Sequence, residues 1–84
     1  MYMTTKEELE RWSAEFLEYY KDYIISAKID EDENLIVVAR PELEFQDVLE
    51  YISDSILDTV EFEEHLDVHL YEYGISEYTE IGIN

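Results

Sequence analysis

The chain has no cysteine, one proline and two glycines among its 84 residues, and from Pro41 to Asn84 it has no lysine or arginine. Without cysteine there is no disulfide, no thiolate nucleophile and no cysteine-ligated zinc, so a small domain must be held by its own core. Pro41, Gly74 and Gly82 are too few and too scattered to form a linker or a glycine-rich phosphate cradle. Residues 1–84 therefore read as one acidic domain. Long apolar runs are missing too. The longest, Leu35-Ile36-Val37-Val38-Ala39, falls far short of the ~20 residues that span a bilayer. Met1–Glu8 contains no apolar signal core. The expected location is cytoplasmic, away from membranes.

The absent cations matter most. Residues 1–40 set ten Asp/Glu against Lys6, Arg11, Lys21, Lys28 and Arg40, a net charge of −5. The remaining residues carry thirteen carboxylates, with His65 and His69 as the only offsets. Like charges crowded on a small surface destabilise the compact state. Such a distribution points to a strongly basic partner, and it should repel nucleic acids and anionic membranes. Salt-adapted proteins share the excess of carboxylates, but here the large residues Ile, Tyr, Leu and Phe remain plentiful.

What is present can fold. A hydrophobic fraction of 46% exceeds that of disordered acidic tails. Thr4 or Thr5 ahead of Glu7 and Glu8 can head a capping box. Leu9, Trp12, Phe16, Tyr19, Tyr20, Tyr23 and Ile24 recur at helical steps, which predicts a helix over roughly 5–24. Ile25, Ala27 and Ile29 alternate with polar residues, Asp30–Asn34 reads as a turn, and Leu35–Arg40 suits a strand stopped by Pro41. Phe45, Val48, Leu49, Ile52, Ile56 and Leu57 predict a second helix, about 43–58. Residues 60–71 fit either strand alternation or a helix ending at Gly74, and Val, His and Tyr favour the strand. Tyr78–Ile83 reads as a short final strand. The order α-β-β-α-β-β predicts an α+β fold: a small antiparallel sheet with two helices packed on it.

On the second helix Asp47, Glu50, Asp54, Asp58 and, if the helix reaches it, Glu61 follow one another at three- and four-residue steps. That spacing places them on one side, opposite Phe45, Val48, Ile52 and Ile56, along about 21 Å. Glu50–Asp54 and Asp54–Asp58 are like-charge i,i+4 pairs, each costing about 0.2–0.5 kcal/mol of helix stability. A plain solvated face is the alternative reading, although interleaved lysine would be its stabilising choice and none is present. Tyr51 sits within the stripe, and Glu63 and Glu64 follow it. Tyr51, Tyr71, Tyr73 and Tyr78 lie among carboxylates, where tyrosine pairs well with arginine, whereas Tyr19, Tyr20 and Tyr23 read as core.

Chemical motifs fail at named positions. Asp30, Asp32 and Asn34 mimic the first three ligands of a calcium loop, but Leu35 stands where its glycine belongs and Pro41 where its glutamate belongs. His65 and His69 are four apart, yet Leu66 follows His65 where a metalloprotease motif needs glutamate. The serines lack a nucleophile-elbow context. No enzyme, cofactor or metal is expected.

Small size, extreme acidity, absent cysteine and abundant tyrosine together resemble the DNA-mimic class of phage and mobile-element inhibitors: anti-CRISPR proteins, antirestriction proteins and inhibitors of DNA-repair enzymes. The resemblance is compositional and spans the whole chain. A net charge of −18 equals that of about 30 Å of duplex DNA. The resemblance implies a cytoplasmic nucleic-acid mimic that occludes a basic nucleic-acid-binding protein, such as a CRISPR effector, a restriction enzyme or a repair enzyme. Asp47, Glu50, Tyr51, Asp54, Asp58, Glu61, Glu63 and Glu64 are its expected contact residues. An immunity protein, antitoxin or adaptor for one basic partner fits the same composition, and homodimerisation stays open at the level of sequence.

Overall fold

A computed structural model of the chain describes residues 6–59 and 68–81. Its elements follow the order α1 (Lys6–Tyr19), β1 (Ile24–Ile29), β2 (Leu35–Ala39), α2 (Phe45–Thr59), β3 (Val68–Tyr71) and β4 (Tyr78–Ile81). The radius of gyration, 12.1 Å, is that of a compact chain of this length. The fold is α+β. The sheet runs β1-β2-β3-β4, with antiparallel pairing in the hairpins β1–β2 and β3–β4. The central pair β2–β3 is parallel, because the chain crosses over through α2 between them.

Several boundaries differ from expectation. The first helix ends at Tyr19, and Tyr20 carbonyl oxygen accepts from the amides of Tyr23 and Ile24 at 2.8 and 3.0 Å. Ile24, expected on the helix, instead opens β1 opposite Ala39. Arg40 holds this turn against the sheet: its Nε donates to the Lys21 carbonyl at 2.7 Å and its amide to the Tyr23 carbonyl at 2.9 Å. The second helix starts at Phe45, after Glu44, whose carbonyl accepts from the Val48 amide. In the ambiguous segment the described part, Val68–Tyr71, is strand, while residues 60–67 lie outside the described residues. So do the capping threonines and residues 82–83 of the expected last strand.

Register explains which residues are core. Ile24 faces Ala39 but Ser26 faces Val38, so Ile25 is an extra residue, a β-bulge. The bulge resets the alternation. Ile24 is fully buried, Ile25 is exposed, and Ala27 and Ile29 return to the core side opposite Val37 and Leu35. Leu35, Val37, Ala39, Val68, Leu70 and Ile81 complete that side of the sheet, and Leu9, Phe16 and Tyr20 of the α1 region and Val48 and Ile52 of α2 pack into the same cluster. The opposite face carries two rows, Ser26–Val38–Tyr71–Tyr78 and Lys28–Ile36–His69–Glu80.

Two turns use left-handed backbone. Glu33 has φ 65° at the end of the β1–β2 turn, where the Glu33 amide donates to the Asp30 carbonyl at 3.1 Å. Gly74 has φ 79° in the turn closed by the Ile75 amide on the Glu72 carbonyl, a conformation glycine adopts without Cβ strain.

Candidate partner-binding surface

α2 is built from two opposed patterns. Val48 and Ile52 are buried and Phe45 and Leu49 pack against the core, which fixes how the helix is rotated. That rotation sends Asp47, Glu50 and Asp54 to solvent, all three exposed. Asp58 occupies the helix position four residues further on, so Asp47 to Asp58 covers about 16 Å of axis. Gln46 Nε2 donates to Glu50 Oε2 at 3.3 Å. Among the described residues no lysine or arginine forms an ion pair with Asp47, Glu50 or Asp54. The exposed pairs Lys21–Glu18 and Arg40–Glu42, each at 3.5 Å, lie elsewhere. Glu61, Glu63 and Glu64, expected to extend the surface, lie outside the described residues.

Tyr51 borders this acidic row on the side facing the α1 turn. It is 41% exposed. Its ring stacks on Tyr23 at 4.1 Å and 17°, and meets Tyr20 edge-on at 6.1 Å. Tyr19, 58% exposed, packs edge-on against Tyr20 at 4.8 Å. Of the three tyrosines expected in the core, Tyr20 is buried, Tyr23 half-buried and Tyr19 exposed. Desolvation, then the Tyr51 phenol and the Asp22 carboxylate, raise the Tyr23 phenol above the usual tyrosine range. The result is a row of carboxylates beside a ledge of phenol rings. Such a combination suits cationic side chains of either kind, which pack their stems against the rings and reach the carboxylates with their charge.

Tyr23 was not legible as a partner of Tyr51, because their contact depends on how α1 and α2 dock. The nearest sequence signal was the cluster of Tyr19, Tyr20 and Tyr23 just where the first helix loses its period.

The calcium-like turn has a structural use. Asp30 Oδ1 accepts from the amides of Asp32 and Asn34, both at 2.8 Å, and Oδ2 accepts from Asn34 Nδ2 at 3.3 Å. Both oxygens are committed to folding the turn. Among the described residues no three His, Asp or Glu side chains converge as a metal-ligand set, and no helix is long and apolar enough to cross a membrane. Searches of family models, curated proteins and solved structures find no match to this chain.

Proposed function

We propose that this protein is a nucleic-acid mimic of phage or mobile-element origin, which binds and occludes the basic DNA- or RNA-binding surface of a host defence or repair protein. It acts by occupancy, without chemistry. One observation carries the reading: Asp47, Glu50 and Asp54 form an exposed row on α2 to which, among the described residues, no lysine or arginine is paired, next to the half-exposed Tyr51 ring. A row of unopposed charge on a helix costs stability, and a partner lined with arginine and lysine supplies the missing counter-charge. Association would be electrostatically steered and strongly salt-dependent.

The test is an affinity pull-down from host extract, with mass spectrometry of the retained protein and competition by duplex DNA. The expected partner is a basic nucleic-acid-binding protein that DNA or added salt displaces. Asp47→Asn with Glu50→Gln and Asp54→Asn should weaken its binding at least about tenfold while leaving the fold as stable or slightly more so. A partner without a nucleic-acid site, or wild-type binding by the triple variant, overturns the assignment.

A further inference from the structure

The sheet face opposite the helices has a composition unlike the rest of the acidic surface. Tyr71 and Tyr78 face each other across β3 and β4, with ring centroids 5.3 Å apart. His69 stacks on Tyr78 at 4.1 Å and 13°. Ile36 and Val38 of β2 flank them in register and stand outside the core cluster to which both helices contribute. Tyr78 is 49% exposed, and His69, Tyr71, Ile36 and Val38 are partly so. Exposed Glu80 ends the His69 row. This is a continuous aromatic and aliphatic platform with the Glu80 carboxylate at its β4 edge and exposed Lys28 at its β1 edge.

We infer that this platform binds arginine side chains of a basic protein partner, with Tyr71, Tyr78 and His69 receiving guanidinium faces and Glu80 accepting their N–H groups. The inference rests on the basic partner proposed above. Charge complementarity selects the occupant. A second copy, itself carrying a net charge of −18, would be repelled, as would nucleic acid or an anionic membrane. A cationic protein is attracted. Among cations, the planar and weakly hydrated guanidinium stacks on rings, whereas the lysine ammonium keeps its water. The platform therefore adds selection for arginine over lysine, which the carboxylate row on α2, reading charge, does not supply.

The experiment compares nona-arginine with nona-lysine, peptides of equal charge, by titration followed through backbone amide shifts of the full chain. The wild-type protein should bind nona-arginine at least about fivefold more tightly, with shifts centred on β3 and β4. Tyr78→Thr, at a half-exposed strand position that suits threonine, should reduce that preference, and adding Tyr71→Thr should remove it while leaving nona-lysine affinity unchanged. Should the double variant fail to fold, Tyr78→Thr alone decides. Asp47→Asn with Glu50→Gln and Asp54→Asn should weaken both peptides alike. Equal affinity of the wild type for the two peptides, or a preference that Tyr78→Thr leaves undiminished, overturns the inference. A host partner lacking a nucleic-acid site would defeat the mimic assignment while leaving the arginine preference intact.

Discussion

Both carboxylate oxygens of Asp30 serve the β1–β2 turn, and this commitment sets a pH dependence. The Asn34 amide is the largest influence holding the Asp30 carboxyl below the ordinary aspartate range; partial burial opposes it, and the Asn34 side chain, the Asp32 amide and His69 add to the lowering. A folded-state pKa below the unfolded value means that the unfolded chain binds more protons in between. The stabilisation is thus fully present above about pH 4–5 and is lost as pH falls through the folded-state pKa. Asp30→Asn keeps the acceptor but lacks the charge. Asp32→Asn removes an equal charge from an exposed neighbour and controls for general repulsion. Urea denaturation between about pH 6 and pH 3 should show the stability of wild type relative to Asp30→Asn declining on acidification, more than relative to Asp32→Asn. Parallel curves for the two variants would show that the turn does not depend on an ionised acceptor.

At the scale of elements, α2 was the most legible, because both of its faces are written in the sequence: Phe45, Val48, Leu49 and Ile52 inward, Asp47, Glu50 and Asp54 outward. β1 was legible as a strand but not in its facing. Ile25, Ala27 and Ile29 alternate cleanly, yet the bulge exposes Ile25 and buries Ile24, and period-two reading cannot register an extra residue. The parallel β2–β3 join and the ring contacts Tyr23–Tyr51 and His69–Tyr78 arise from tertiary docking, which local periodicity does not encode. The same docking produces a polar link between the helical elements: the hydroxyls of Tyr20 and Ser55 are 2.6 Å apart, with Tyr20 fully buried just after α1 and Ser55 on α2. A double-mutant cycle of Tyr20→Phe and Ser55→Ala, read by chemical denaturation, should give a coupling of about 0.5–1.5 kcal/mol. Strictly additive losses would mean that the two hydroxyls do not hold α2 against the α1 turn.

For the whole molecule, the described carboxylates other than those of Glu8 and Asp30 are exposed wherever their side chains are described, and the net charge is −18. The fold and the proposed partner binding should then respond to salt in opposite senses. On α2, which has no lysine or arginine, Asp47–Glu50, Glu50–Asp54 and Asp54–Asp58 are like-charge neighbours at helical spacing, each costing about 0.2–0.5 kcal/mol, or roughly 0.6–1.5 kcal/mol together. Raising salt from about 0.1 M to 1 M shortens the screening length from about 10 Å to about 3 Å, below the ~5 Å between neighbours on a helix face. Relief of that repulsion should raise the thermal midpoint, by about 4–8 °C per kcal/mol for a domain of this size. Over the same range, binding to a basic partner should weaken, because its attraction is screened as well. Thermal melts and partner titrations across one NaCl series test both. A midpoint that does not rise would show that the acidic surface is not under internal repulsion, removing the argument that an external cationic partner maintains it.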